Sequence, residues 1–389
     1  MITRDDIREL ANFQSPEGCA ITFYYQPSTP PNKSHKEEAI LVKDMIRNAL
    51  REAEKRGKNG STRSDLERIS SMVDPLHGSG AKAKAIFACG QTGFWREFDV
   101  PGQTLKPKIA ISHRFHLKPL AAVLDGEQRA CVVLADRTKA RIFELKNEDL
   151  VEKQDFINEL TRRGKSDGYA GYDAGHAERR VANEARQHYK AVADRLQEEL
   201  ERGLWEKLVI GCHDTNWSEF ESHLHPYVKQ RLLGHFPADV PTLTLDQIRE
   251  HANHALRLAQ DQRRETLVRE TLSLAKGNGR AVTGLRRVLR SLELGEVQAL
   301  LLGENYTARA VECGSCGHVD SHMVPYCVVC GKATRDLEDV CDAMVPMAIR
   351  RDIELFYVKN DEEFDKVGNI AALLRFRADK SGSHVAVAS

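Results

Sequence analysis

The sequence predicts an α/β protein of three consecutive α/β domains, the third with a zinc-ribbon-like insertion. Short β-branched or aromatic runs alternate with segments whose apolar residues recur at helical spacing. The chain has 389 residues, more than the roughly 250 to 300 at which one hydrophobic core stops growing. Four cysteines in two closely spaced pairs mark the insertion. We expect the domains to cover residues 1–122, 123–243 and 244–389.

The first domain is predicted from two buried strands and a helix. Residues 19–25 and 85–89 are rich in β-branched, aromatic and small apolar residues, which favours strands. Ser34 and Glu37 have the spacing of a capping box, and the apolar residues that follow recur at helical spacing until Gly57. These elements predict an N-terminal α/β domain.

The middle domain is predicted from a hairpin, a loop and a long helix. Residues 129–135 and 140–145 form two apolar runs across a polar turn, which favours an antiparallel pair. Residues 161–176 contain four glycines and almost nothing to bury, so we expect an exposed, mobile loop there. A helix over 177–202 and a strand over 207–211 follow.

The third domain begins with a capping sequence. Thr244 and Gln247 predict the start of a helix that ends near Lys276, where glycines follow. Strands are predicted over 297–302, 308–311 and 353–358. The zinc insertion covers 311–336, between the strand that ends near Val311 and a helix expected near Leu337.

The compartment decides how the paired cysteines are interpreted. The N-terminal residues lack the pattern of a secretory signal, and no run approaches the roughly 18 apolar residues of a membrane span. We therefore expect a cytoplasmic protein without a membrane-bound part. Thiols stay reduced in that compartment, where paired cysteines are typical of metal ligands or redox pairs.

The cysteine spacing predicts one structural zinc ion. Each Cys-x-x-Cys pair is followed by a glycine, Gly317 or Gly331, as tight metal-binding turns require. Four thiolates leave no open position on the metal, so the zinc is expected to be structural rather than catalytic. A redox dithiol is the alternative, and His318 and His322 are expected to be surface residues. The predicted ligands are Cys313, Cys316, Cys327 and Cys330.

The whole chain has no net charge, but one segment has an excess of basic residues. The 57 basic and 57 acidic residues cancel, so the composition gives no signal for binding nucleic acid. Residues 161–190, however, carry seven basic and four acidic side chains. A basic, glycine-rich tip with aromatic side chains is typical of RNA contact, and a solvated linker is the alternative. The candidate RNA-binding residues are Arg162, Arg163, Lys165, Arg179, Arg180 and Arg186.

Three passages resemble the superfamily of archaeal and eukaryotic class-one release factors and Pelota, in its bacterial branch, which is related to the hibernation factor Balon. Residues 281–302 resemble a helix that leads into a Gly-x-Val-x-x-Leu-Leu strand of the family's third domain, and residues 368–376 resemble its closing motif. Residues 179–190 resemble the helix after the catalytic loop of the middle domain. The likeness extends from about residue 125 onward, whereas residues 1–122 resemble only the bacterial branch.

The resemblance implies that the glycine-rich loop enters the peptidyl-transferase centre. Release factors carry Gly-Gly-Gln there, and the glutamine helps to position the attacking water. This loop has no Gly-Gly pair and no glutamine, and Ala174 occupies the glutamine position when it is aligned with bacterial relatives. Hydrolysis is therefore not expected, and no catalytic residue is assigned. The expected loop contacts are Gly168, Tyr169, Gly171, Tyr172, Gly175 and His176.

Three functions follow from this resemblance. The leading hypothesis is a monomeric translation factor that occupies the A site of stalled or idle ribosomes, in rescue or hibernation, by contact with ribosomal RNA. The second is a peptidyl-tRNA hydrolase in which His176 serves as a non-standard general base. The third is an RNA-binding module that acts off the ribosome. The resemblance also implies a translational GTPase as a partner, and DNA is not expected to bind.

Overall fold

The computed structural model describes residues 2–27, 36–55, 61–73, 83–100, 106–124, 130–146, 149–157 and 172–377. Helices and four sheets confirm the predicted α/β class. Contacts group the chain into unit 1, Met1–Gly126 with Arg264–Ser389, and unit 2, Glu127–Arg263. The division into three domains stays a prediction. Within the described ranges, every helix is too short or too polar to span a bilayer.

The first part of unit 1 is an antiparallel sheet with two helices on one face. Its strands lie in the order β3-β2-β1-β4. Strands β1 and β2 confirm the two predicted strands, and α2 and α3 pack on the sheet through Val42, Ile46, Leu66 and Ile69. The elements are α1 (Arg4–Asn12), β1 (Ala20–Tyr25), α2 (Lys36–Lys55), α3 (Ser61–Val73), β2 (Ala83–Cys89), β3 (Phe94–Val100), β4 (Lys108–Ser112) and α4 (Lys118–Leu124).

Unit 2 is built on one mixed sheet of five strands. The elements are β5 (Ala130–Ala135), β6 (Lys139–Lys146), β7 (Asp149–Ile157), α5 (Tyr172–Glu201), β8 (Lys207–Cys212), α6 (Asp214–His223), α7 (Pro226–Lys229), β9 (Leu232–Pro237) and α8 (Leu245–Lys276). The strand order is β7-β6-β5-β8-β9. Strands β5 and β6 pair antiparallel, which confirms the predicted hairpin, while β8 runs parallel to both β5 and β9.

Two helices cover the faces of this sheet. On one face α5 contributes Tyr189, Val192 and Leu196 to a core with Trp205 and Phe220. On the other face the first half of α8 contributes Ile248 and Ala252. The start of α8 is the predicted capping box, because the Gln247 N–H donates to Thr244 Oγ1 at 3.3 Å and the Thr244 N–H donates to Gln247 Oε1 at 3.0 Å.

The last part of unit 1 holds a second mixed sheet and a small antiparallel one. The elements are β10 (Ala281–Thr283), α9 (Leu285–Glu293), β11 (Val297–Gly303), β12 (Ala310–Cys313), β13 (Val319–Asp320), β14 (Thr334–Leu337), α10 (Cys341–Arg350), β15 (Glu354–Val358), α11 (Glu362–Lys366) and β16 (Ile370–Leu374). The sheets have the orders β10-β16-β11-β15 and β13-β12-β14. Leu337 ends β14, so the helix expected near it begins four residues later, at Cys341.

One hydrophobic core joins the two parts of unit 1. Tyr24, Phe87 and Phe115, from the sheet face opposite α2 and α3, share a buried cluster with Leu289 and Met344 of α9 and α10. The second half of α8 packs on the other face of the later sheet through Val268 and Leu272. Residues far apart in sequence therefore stabilise one another in this unit.

Candidate functional site

The four predicted zinc ligands lie at two turns beside the small sheet β13-β12-β14. Cys313 ends β12 and Cys316 follows it, while Cys327 and Cys330 lie between β13 and β14. Strand β12 pairs antiparallel with both neighbours, so the sheet holds the two turns side by side. The structure thus brings together four cysteines that span 18 positions of sequence.

The two turns have the same backbone geometry. In the first, the Gly317 N–H donates to the Cys313 carbonyl at 2.9 Å, and in the second the Gly331 N–H donates to the Cys327 carbonyl at 2.9 Å. Both glycines are left-handed, with φ of +75° and +72°. Side chains at such positions are strained, which explains why a glycine follows each cysteine pair.

The sulfur positions fit a tetrahedral ion. Cys313 Sγ lies 3.4 Å from Cys330 Sγ, and Cys316 Sγ lies 3.6 Å from Cys327 Sγ. All four sulfurs lie within 4.8 Å of one another. Zinc bound to sulfur at about 2.3 Å requires sulfurs about 3.8 Å apart, so little movement is needed to reach tetrahedral geometry.

The backbone around the first turn favours a thiolate. N–H groups of Cys316 and Ser315 point at the sulfur of Cys313 and lower the pKa of that thiol to about 6. The His318 N–H lowers the pKa of Cys316, but burial and the three neighbouring sulfurs outweigh it and raise that pKa to about 12. Since metal ligands are thiolates, a cation among the sulfurs would stabilise the deprotonated form of all four cysteines.

The two nearby histidines have other partners. His318 Nδ1 lies 2.7 Å from Glu293 Oε1, and His322 Nδ1 lies 2.9 Å from Asp320 Oδ1. Neither ring belongs to the group of four sulfurs. The other five cysteines are buried away from this site, which agrees with their apolar surroundings in sequence.

The glycine-rich segment is described only from its last residues onward. Gly168, Tyr169, Gly171, Arg162, Arg163 and Lys165 lie outside the described residues. Tyr172, Gly175 and His176 were expected in the loop but belong to α5, which begins five residues before its predicted start. A single glycine costs a helix only about 1 kcal/mol relative to alanine, so Gly175 does not prevent the helix from starting at Tyr172.

The described part of α5 presents its basic residues to solvent. Arg179, Arg180 and Arg186 are exposed, and their contact with RNA stays a prediction. Arg180 pairs with Glu184 at 3.3 Å and Arg186 with Glu219 at 3.7 Å, and each of these arginine side chains is 66% exposed. Exposed ion pairs contribute at most about 1 kcal/mol, so such arginines can exchange a carboxylate for a phosphate.

A second cluster, which sequence reasoning missed, links the two parts of unit 1. His116 lies with Asp339 and Asp342, and their ligand-type atoms are within 4.8 Å of one another. His116 Nδ1 is 2.5 Å from Asp342 Oδ1, and its Nε2 is 2.9 Å from Lys108 Nζ. Because the amine of Lys108 contacts the second ring nitrogen, we interpret this cluster as an internal hydrogen-bonded contact. Its members lie 226 positions apart and carry no local sequence pattern.

Comparisons with known proteins find sequence similarity to release factors. Residues 116–257 match the family model of bacterial archaeo-eukaryotic release factor family 10. Peptide chain release factor subunit 1 of Pyrococcus abyssi is 25% identical over 312 residues, which cover 72% of this chain and 74% of that protein. The same factor of Thermococcus kodakarensis is 24% identical over 312 residues, with the same coverage.

Among solved structures, Pelota of Archaeoglobus fulgidus has 10% sequence identity and a TM-score of 0.36, covering 96% of this chain and 93% of that one. The family match lies on unit 2 and the end of the segment before it, and the release-factor alignments extend over almost three quarters of the chain. The chain is therefore similar to a bacterial release-factor family over residues 116–257 and to archaeal release factors over about 72% of its length.

Proposed function

We propose that this protein is a translation factor of the release-factor and Pelota type that occupies the A site of stalled or idle ribosomes. The observation that carries the proposal is the exposed basic surface of α5 in the part of the chain that matches a release-factor family. Arg179, Arg180 and Arg186 would contact phosphates of ribosomal RNA, since a fixed guanidinium fork matches a phosphate. The relatives are named for peptide chain release, and the proposed function does not include that activity.

Co-sedimentation with 70S ribosomes tests the proposal. Phosphate contacts release counterions, so binding should weaken steeply as salt is raised. We expect Arg186→Gln to reduce the slope of log affinity against log salt by about one unit. Arg202→Gln is the matched control, because Arg202 is an exposed arginine that follows the far end of the same helix. Free migration of the wild type at low salt, in growing and in starved cells, would contradict the proposal.

Peptide release separates ribosome occupancy from hydrolysis. The loop lacks a glutamine, and Ala174 stands at its aligned position. We therefore expect no release of peptide from P-site tRNA by the wild type. If the wild type did release peptide and His176→Ala did not, the protein would be a hydrolase with a histidine base. Crosslinking that recovers transfer or messenger RNA but little ribosomal RNA would instead favour a role off the ribosome.

We further propose that Cys313, Cys316, Cys327 and Cys330 bind one structural zinc ion. The support is the placement of four sulfurs within 4.8 Å of one another on two glycine-terminated turns. Four thiolates fill the coordination of the metal, so the ion would hold β13, β12 and β14 in place rather than act on a substrate. Its role in translation would be to stiffen a docking surface.

A further inference from the structure

A cavity of about 460 Å³ lies in unit 1 beside the first cysteine turn. It is lined by Arg114 of the first part of the unit, Glu312 and His318 of the cysteine region, Glu293 at the end of α9, and Arg350 and Arg351 at the end of α10. This volume falls in the range of about 300 to 1,000 Å³ that is typical of pockets for small ligands.

Both carboxylates on the cavity wall already have partners. Glu312 is 1% exposed; its Oε2 accepts from Arg335 Nη2 at 2.7 Å, and its Oε1 contacts Arg114 Nη1. Glu293 Oε1 accepts from the Val319 N–H at 3.1 Å and pairs with His318 Nδ1. Their recorded ion-pair partners are therefore Arg114, Arg335 and His318, not Arg350 or Arg351.

The remaining arginines bond to neutral groups. Arg350 Nη1 donates to the Ala11 carbonyl at 2.7 Å, and Arg351 Nη1 donates to the Leu292 carbonyl. Among the described residues, neither guanidinium forms an ion pair with a carboxylate. Burial lowers the pKa of Arg350, and the nearby charges of Arg114 and Arg351 lower it further, while the charge of Glu312 opposes them. Two guanidinium groups without a carboxylate partner among the described residues thus line the cavity beside the Arg114–Glu312 pair.

Arg114 adds an unused donor. The residue is 7% exposed, and its Nε has no acceptor within the part of the chain that the structure describes. A buried donor without an acceptor is destabilising, so an acceptor in the cavity would supply the missing hydrogen bond. Val329 and Met347 also line the cavity and offer apolar contact.

We propose that this cavity binds the phosphate group of a small phosphorylated molecule, held by the guanidinium groups of Arg350 and Arg351 and by the inner wall at Arg114. Planar guanidinium forks bind phosphate through paired charge-assisted hydrogen bonds. A phosphate would also relieve the repulsion among the three arginines. The apolar side chains would contact the carbon skeleton of the ligand. This site is separate from the proposed ribosome contact on α5.

Calorimetric titration of the full-length protein with inorganic pyrophosphate and with adenosine diphosphate tests the proposal. We expect both probes to bind, and Arg350→Gln or Arg351→Gln to weaken binding about tenfold or more, because each variant loses a charge-assisted contact. Arg309→Gln is the matched control: it removes one positive charge from an exposed pair with Asp336, outside the cavity. Thermal unfolding verifies that each variant is folded, and Arg351 is the decisive position if Arg350→Gln does not fold.

Two results would overturn the proposal. One is the absence of binding by either probe at low ionic strength, or equal binding by wild type and Arg351→Gln. The other is that an RNA octamer without terminal phosphates binds and is weakened by Arg351→Gln while neither small probe binds, since this would assign the arginines to an RNA backbone. Ribosome co-sedimentation is a separate measurement, so a failure to bind ribosomes would not affect the test of phosphate binding.

Discussion

His116 Nδ1 lies 2.5 Å from Asp342 Oδ1, although the two residues are 226 positions apart in sequence. The His116 ring is buried, and its backbone carbonyl accepts from the Tyr24 hydroxyl at 2.7 Å. Lys108 lies against the other ring nitrogen, and because an ammonium only donates, Nε2 accepts and Nδ1 donates to Asp342. The contact thereby fixes α10 against the first sheet of unit 1.

Replacing Asp342 should destabilise unit 1. Asp342→Ala leaves the buried His116 Nδ1–H without an acceptor, which costs about 1 to 3 kcal/mol of unfolding free energy. Arg8→Ala is the control, since Arg8 also joins the two parts of the unit, through Asp352, but in an exposed pair. Urea unfolding should show a lower midpoint for Asp342→Ala and an unchanged midpoint for Arg8→Ala. Equal midpoints for the two variants would contradict the importance of the buried contact.

Loss of the metal should unfold the cysteine region alone. We expect mass spectrometry of metals to find one zinc per chain, and Cys327→Ser or a strong chelator to remove it. Limited proteolysis should then cleave between Val311 and Leu337, because the small sheet buries too little apolar surface to persist without the ion. Ser315→Ala, in the same turn as two ligands, should retain the zinc and resist cleavage. An uncut region after zinc loss would contradict a structural role.

The two glycines of the first turn should differ in their tolerance of a side chain. Gly317 has φ of +75°, whereas Gly314 is not left-handed, and a Cβ at either position would meet nothing within 4 Å. Backbone strain therefore decides the outcome, and Gly317→Ala should cost about 1 to 2 kcal/mol while Gly314→Ala costs little. Competition with a zinc chelator measures this cost as weaker metal retention. Similar retention by both variants would show that the turn does not require a left-handed residue.

His188 should make the stability of unit 2 depend on pH. Burial lowers the pKa of this ring below its ordinary value of 6.5, despite a hydrogen bond to the Lys139 carbonyl. The unfolded chain takes up a proton near pH 6.5 while the folded chain does not. The contribution of neutral His188 to the unfolding free energy is therefore complete above pH 6.5. It is lost as the pH falls from there through the lower pKa of the folded state.

Melting temperatures between pH 7.5 and 5 test this dependence. The wild type should lose stability on acidification, and His188→Gln should show a shallower loss, because glutamine can donate to Lys139 without gaining a proton. His254→Gln is the control, since His254 is exposed on α8. A slope that is the same for wild type and His188→Gln would refute the assignment.

Local sequence patterns predicted the local parts of this structure. The spacing of Cys313 and Cys316 predicted a tight metal-binding turn because a turn is formed by residues a few positions apart. The capping box at Thr244 was predicted correctly for the same reason. Strand β7 was missed, since it contains Asp149, Glu152, Lys153 and Asp155 and lies at the edge of its sheet, where charged residues are favoured.

Long-range contacts carried no such signal. The buried pair of Arg114 and Glu312 joins residues almost 200 positions apart, and nothing near either residue predicts the other. The cavity beside the first cysteine turn was missed for the same reason, because its arginines come together only in the folded unit. The basic residues of α5 were predicted as candidate RNA contacts because they are close in sequence.

The shared core of unit 1 has a consequence for how the chain is made. Residues 127–263 are synthesised between the two parts of that core, and the ribosome adds about 5 to 20 residues per second. The apolar face that holds Tyr24, Phe87 and Phe115 must therefore wait on the order of ten seconds for α9 and α10 to emerge. Unit 2, which is continuous in sequence, can fold during that interval. The nascent N-terminal segment is thus the part of this protein most in need of a chaperone.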